Sequence, residues 1–198
     1  MRRSFALVIA LIATLLVVLS ATSNAKPANW RIDPAHSRVS FVVTKWGLVE
    51  VDGRFRKYSG TIAFDPAAPE TGSIEWVVNV ASVDTGEPRR DQTLLDEEYF
   101  HAARHPDLTF RSTSVKAAGS NRFDVTGTLT IRGVAKTVTL PVTYGGRHDV
   151  PGEGQMDVFQ TSFTIDRFDF GIRGGTVMRT VISRDVKISL VAASRPGR

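Results

Sequence analysis

The sequence contains no cysteine among its 198 residues. This absence excludes disulfide bonds, thiolate metal sites, a cysteine nucleophile and a lipid-modified cysteine anchor. The sequence also has no run of lysine or arginine long enough to follow a phosphate backbone, because its 25 basic residues are scattered among 20 acidic ones. The formal charge of +5 therefore gives no indication of nucleic-acid binding.

A long apolar run occurs only near the N-terminus, where Phe5–Leu19 follows Arg2-Arg3. The run is shorter than the roughly 20 residues that span a bilayer. The small residues Ser23 and Ala25 follow it, at the spacing that a signal peptidase recognises. We predict a cleavable signal peptide over residues 1–25 and export to the periplasm. The arginine pair leaves the Sec and twin-arginine routes both open.

After this segment, apolar and polar residues alternate with a period of two. Clear examples are the segments Val39–Val43, Ile74–Val80 and Phe123–Ile131. Such alternation predicts β strands with one buried and one solvated face. Turn-forming residues such as Asp65-Pro66 separate the segments. We therefore expect residues 26–198 to form one all-β domain.

One segment, Asp91–Ala103, departs from the strand pattern because it is rich in Leu, Glu and Ala and has no β-branched residue after Thr93. Thr93 and Asp96 have the spacing of a capping box. Pro106 disfavours helical geometry at the residue before it. We predict one short helix over Asp91–Ala103.

The predicted strands must bury their apolar faces against something. An open sheet would leave this surface and two strand edges exposed. Closing about eight strands into an antiparallel barrel solves both problems, and a barrel of that size encloses either packed side chains or one small elongated ligand. We expect such a barrel, with the short helix added to it.

Several motifs resemble a known family. Asp33–Val43, which begins Asp-Pro-Ala-His-Ser, is similar to the opening of the YceI-like lipid and polyisoprenoid-binding family. Gly60–Asp65, Gly127–Val134 and Asp169–Gly171 resemble later motifs in the same order, and the likeness extends from residue 30 to about 192. The resemblance implies an extended lipocalin-like barrel, usually periplasmic, that holds a long apolar chain inside.

The alternation also identifies side chains that face the barrel interior. Together with the resemblance, it predicts that an apolar tunnel is lined by Phe41, Val43, Trp76, Val78, Phe110, Phe123, Leu129 and Phe163. The same residues would equally fit the filled core of an ordinary barrel, and alternation alone leaves both interpretations open. The family resemblance favours the hollow one.

Three cations are candidates for a polar mouth. Lys45 shares the alternation face of Phe41, Arg90 lies at the start of the helical segment, and Arg184 interrupts the apolar face of the last strand. Cationic donors of this kind bind phosphates and carboxylates. Each residue would also fit a solvated or ion-paired surface position.

These observations favour a carrier of a long-chain lipid, polyisoprenoid or fatty-acid-like, with no catalytic residues, no metal and no cofactor. One alternative is an envelope interaction module with a filled core. Another is a barrel enzyme acting on an isoprenoid quinone or fatty amide, for which His36 beside Ser37 is the candidate base and nucleophile. A membrane-bound cytochrome or quinone enzyme is a candidate partner, and both a monomer and a homodimer are compatible with the sequence.

Overall fold

The computed structural model describes residues 29–197, so the predicted signal peptide lies outside the described residues. No helix in the described part of the chain is long and apolar enough to cross a membrane. The strands and helices, in chain order, are β1 Asn29–Ile32, β2 Arg38–Lys45, β3 Val49–Phe55, β4 Tyr58–Ala63, β5 Ser73–Asn79, β6 Val83–Asp84, α1 Pro88–Leu95, β7 Asp107–Gly119, β8 Arg122–Ile131, β9 Val134–Val150, β10 Gly154–Asp166, α2 Met178–Val181 and β11 Ile182–Pro196.

Eight strands form a closed antiparallel circuit in the order β1-β4-β5-β7-β8-β9-β10-β11, because β11 pairs back with β1. The closing register places Trp30 opposite Pro196 and Ile32 opposite Ser194. Strands β2, β3 and β6 extend this circuit, since β2 pairs with β11 and with β3, and β3 pairs with β6. The expected antiparallel barrel of about eight strands is confirmed.

The first three long strands of the barrel are each interrupted. Both β1 and β2 pair with β11, on either side of a bend at residues 33–37. A bend at Arg56-Lys57 separates β3 from β4, and a 3-10 turn at Val80–Ser82 separates β5 from β6. The pairing changes at each interruption: β3 pairs with β2 whereas β4 pairs with β1, and β5 pairs with β4 whereas β6 pairs with β3.

The helix begins and ends earlier than the sequence pattern predicts. It spans Pro88–Leu95, not Asp91–Ala103. Pro88 occupies the first turn, where its missing N–H costs nothing, and the Glu87 side chain accepts a hydrogen bond from the Arg89 backbone N–H at 3.1 Å. The residues from Asp96 onward form successive turns instead.

The bend between β1 and β2 is held by Asp33, which is buried. Its carboxylate accepts hydrogen bonds from the Ala35 backbone at 3.1 Å, from His36 Nδ1 at 2.7 Å and from Arg195. Burial alone would raise the pKa of Asp33, but the His36 and Arg195 hydrogen bonds outweigh it and hold the pKa below its ordinary value of 3.8.

A lowered carboxyl pKa stabilises the fold above the pKa of the unfolded chain, and this contribution is lost as the pH falls through the folded pKa. We expect Asp33→Asn to reduce the free energy of unfolding by about 1–3 kcal/mol at neutral pH. The difference from the wild type should shrink below pH 3.8. Denaturant titrations at neutral pH and below pH 3.8 measure this difference in the free energy of unfolding. The control is Asp52→Asn, at an exposed position. A loss that is independent of pH would contradict this account.

Candidate functional site

The barrel interior contains a cavity of about 530 Å³. Its walls are almost entirely apolar, because the inward-facing residues of the strands are aliphatic or aromatic. Strands β2, β5, β7, β8, β10 and β11 all contribute, and the central lining includes Val39, Phe41, Trp76, Val78, Phe110, Leu129, Phe163, Ile188 and Leu190. A barrel filled end to end by its own side chains is therefore excluded.

Seven of the eight predicted tunnel residues line this cavity: Phe41, Val43, Trp76, Val78, Phe110, Leu129 and Phe163. Several of them, such as Phe41 and Phe110, keep accessible surface although they point inward, because they face the cavity. That they contact a ligand stays a prediction.

Phe123, the eighth predicted tunnel residue, lies at one end of the barrel in an aromatic cluster. The Phe64 ring centroid lies 5.1 Å from Phe123, 5.1 Å from Tyr144 and 5.3 Å from Phe159. These rings fill the space between the walls. We call this end the closed end, and Phe123 is part of its packing rather than of the cavity lining.

A buried polar group sits among the rings of the closed end. The Tyr144 hydroxyl donates to Asp157 Oδ1 at 2.8 Å, and Arg147 binds the same carboxylate with Nε at 2.9 Å and Nη2 at 2.8 Å. Burial, with the Asp157 hydrogen bond, raises the pKa of Tyr144 to about 12. The phenol therefore stays a neutral donor that fixes the closed end.

The cavity reaches the surface at the opposite end, which we call the mouth. Arg89, Arg90 and Thr93 of α1 both line the cavity and are exposed. Lys45, at the end of β2, also lines it. The helix thus covers the region beside β6, and its cations border the opening. Of the predicted mouth residues, Lys45 and Arg90 are placed here.

Contacts within the mouth hold Arg90 in one orientation. Its Nε donates to Thr85 Oγ1 and its Nη2 donates to the Thr85 carbonyl, both at 2.7 Å. Asp91 in turn accepts a hydrogen bond from the Thr85 backbone N–H at 2.8 Å. Lys45 is held more loosely, with its Nζ 4.2 Å from the centroid of the Trp46 ring.

Arg184 does not belong to the mouth, and the prediction that it does is wrong. Its side chain is exposed and pairs with the Asp166 carboxylate on the outside of the barrel. This ion pair raises the pKa of Arg184 and lowers that of Asp166. The residue is the ion-paired surface arginine that the sequence also allowed.

A further arginine, Arg167, also lines the cavity, and the sequence analysis missed it. It is only 5% exposed. Nε donates to the Ser183 carbonyl, Nη1 to those of Ile172 and Arg173, and Nη2 to that of Ile182, over 2.8–3.0 Å. Burial lowers its pKa.

The sequence signal for Arg167 is its position just before the motif Asp169-Phe170-Gly171. That motif forms a 3-10 turn, Arg167–Phe170, followed by Gly171 with a φ of 72°.

The residues of the enzyme alternative are engaged in structural contacts. The His36 ring binds Asp33, as described above. Ser37 Oγ donates to the Ala193 carbonyl at 3.2 Å and accepts from the Ala193 N–H at 3.0 Å. His36 and Ser37 therefore do not pair with each other as base and nucleophile. Asp33, His36 and Glu153 cluster closely, but Arg195 binds both carboxylates and makes the cluster an ion-pair network.

Comparison with known proteins gives consistent matches. The YceI-like domain matches residues 30–193. Protein YceI of Salmonella arizonae is 36% identical over 161 residues, which cover 80% of this chain and 84% of the relative. A UPF0312 protein of Pseudomonas syringae pv. tomato is 33% identical over 158 residues, which cover 79% of this chain and 82% of the relative.

Solved structures share the barrel. The crystal structure of Burkholderia cenocepacia BcnA has a TM-score of 0.76 at 32% identity, covering 83% of this chain and 99% of BcnA. A polyisoprenoid binding domain from Saccharophagus degradans has the same fold, with a TM-score of 0.67 at 22% identity, and covers 87% of this chain and 100% of its own. The domain match over residues 30–193 and the 36% identical relative show that this chain belongs to the YceI-like domain family.

Proposed function

We propose that this protein is a periplasmic carrier that holds one long-chain lipid, polyisoprenoid or fatty-acid-like, and performs no chemistry on it. The observation that carries the proposal is the apolar cavity of about 530 Å³ that reaches the surface at the mouth. Small-molecule sites have volumes of roughly 300–1,000 Å³. Because aromatic packing blocks the other end, an apolar tail enters first and its polar end remains at the mouth.

Burial of the tail supplies the affinity. Each buried methylene contributes about 0.8 kcal/mol, so a chain of about fifteen carbons gives about 12 kcal/mol gross. Association and ordering cost about 4–15 kcal/mol. Net micromolar binding is therefore reachable without a specific polar contact, and the lumen selects its ligand by length and girth.

The cations of the mouth add a preference for an anionic end group. Lys45, Arg89 and Arg90 border the opening, and charged donors form the stronger hydrogen bonds to phosphate and carboxylate. The Saccharophagus degradans domain is described as polyisoprenoid binding, which supports an isoprenoid chain as one candidate. A membrane-bound cytochrome or quinone enzyme as exchange partner stays a prediction.

Native mass spectrometry tests the proposal. Delipidated protein should take up one molecule of geranylgeraniol or of palmitate per chain. Lys45→Ala should weaken palmitate binding by up to about fivefold, as for a partly solvated ion pair, and should leave geranylgeraniol binding unchanged. Lys187→Ala, on the outer wall, is the control. Folded protein that takes up neither compound would overturn the carrier function.

The location is tested separately. Exported protein should begin at Lys26, and its N-terminal sequence in a periplasmic fraction checks this. Recovery of the uncleaved chain in the cytoplasm would contradict it.

A further inference from the structure

Exposed apolar side chains are concentrated beside the mouth. Six large hydrophobic residues are exposed in the described part of the chain, and four of them lie here. They are Trp46 at 65%, Leu48 at 89%, Val49 at 48% and Val177 at 65%. We call these four residues the apolar rim. The β2–β3 turn and the α2 segment that carry them are joined by a hydrogen bond from the Trp46 backbone N–H to the Val181 carbonyl at 2.9 Å.

Trp46 has a backbone conformation that is unfavourable for a bulky side chain. Its φ is 54° and that of Gly47 is 73°, and the Leu48 N–H donates to the Lys45 carbonyl at 3.2 Å. Positive φ at both central residues is typical of a type I′ turn, which favours Asn or Asp followed by Gly. A bulky residue with positive φ is unfavourable, and this exposed indole gains little packing in return. The residue choice points to a contact outside the chain.

Cations surround the rim. Lys45 Nζ lies over the Trp46 ring, and residues 172–181 contain two arginines, Arg173 and Arg179. The carboxylate of Glu98 lies beside this segment, next to Gly175. In the part of the chain that the structure describes, Lys45, Arg173 and Arg179 form no ion pair. Glu50 is the one acidic residue of the neighbouring hairpin segment 44–50. The surface therefore combines exposed apolar groups with unpaired positive charge.

The rim also borders the opening of the cavity. Lys45, Met178 and Ile182 line the cavity, and they lie on the same two segments as Trp46 and Val177. A molecule that leaves the mouth on this side passes directly over the rim.

We propose that the apolar rim docks this protein on an anionic phospholipid bilayer with the mouth facing the membrane. Trp46 and Leu48 would enter the boundary between headgroups and acyl chains, where tryptophan is favoured, and Lys45, Arg173 and Arg179 would contact the lipid phosphates. A bilayer fits better than a protein groove because the patch pairs apolar tips with scattered cations. The use of docking for lipid exchange rests on the proposed carrier function, whereas docking itself does not.

Vesicle binding tests the docking. The full exported chain should co-sediment with vesicles of phosphatidylcholine and phosphatidylglycerol, and binding should weaken as salt increases. Since Trp30 and Trp76 are buried, a blue shift of tryptophan fluorescence on binding would report Trp46. The double variant Trp46→Asn, Leu48→Ser should bind about tenfold more weakly. Asn suits the turn, so the barrel should stay folded, as circular dichroism checks.

The matched control is Val77→Thr, an exposed apolar residue on the outer wall of β5. It should bind vesicles like the wild type. Uptake of geranylgeraniol added without vesicles should be unchanged in the double variant, so failure of the carrier function and failure of docking give different results. Unchanged vesicle binding by the double variant, or equal binding to vesicles of phosphatidylcholine alone, would overturn the proposal. Folded wild-type protein that ignores both vesicles would also overturn it and would favour a protein partner.

Discussion

Ile188→Trp is expected to remove most lipid binding while leaving the barrel folded. Ile188 lies on β11 opposite Phe41 and Phe163 and lines the cavity. An indole at this position would project into the lumen and occupy space that the ligand chain needs. Displacing about three methylenes at about 0.8 kcal/mol each should weaken binding roughly fiftyfold. Competition of a fluorescent fatty acid by geranylgeraniol measures the affinity.

The adjacent residue provides the matched control for this substitution. Lys187 is exposed on β11, and successive side chains of a strand point to opposite faces. Lys187→Trp therefore adds the same indole to the outer wall and should bind lipid like the wild type. If both variants bind equally well and both are folded, the chain does not occupy the cavity.

The barrel wall was predictable because its physical signal is local. Each strand alternates between two environments, so a period of two is present within every segment of the sequence. Phe123 shows the limit of that signal. It faces inward as expected, but its depth along the barrel axis depends on Phe64, Tyr144 and Phe159, which come from distant strands. Alternation predicts which face of the sheet a side chain lies on, but not its position along the barrel axis.

The predicted helix bounds and the prediction of Arg184 as a mouth residue were wrong for different reasons. The start at Pro88 has a local signal, Glu87 followed by a proline, which the composition of the downstream residues outweighed in our interpretation. The sequence signal for Arg167, its position just before Asp169-Phe170-Gly171, does not indicate that its side chain is buried. The partners of Arg167 are backbone carbonyls, which any residue supplies. The partner of Arg184 is Asp166, which lies opposite the adjacent Asp185 in the ladder of β10 and β11.

Arg167→Met is expected to destabilise the barrel strongly. The substitution leaves the carbonyls of Ile172, Arg173, Ile182 and Ser183 without their donor. An unpaired buried acceptor costs about 1–3 kcal/mol, and some of these groups will recruit water, so we expect a total loss of about 3–5 kcal/mol. Guanidinium denaturation followed by circular dichroism measures the free energy of unfolding.

Two further variants separate the geometry of Arg167 from its charge. Arg184→Met removes an exposed guanidinium, whose ion pair is screened by solvent, and should leave the free energy of unfolding close to that of the wild type. Arg167→Lys keeps the positive charge but replaces a planar fork of donors with a single ammonium, which cannot reach carbonyls on both sides of the turn. It should therefore recover little of the lost stability. If Arg167→Lys unfolds at the wild-type denaturant concentration, the charge and not the fork holds β10, the 3-10 turn and β11 together.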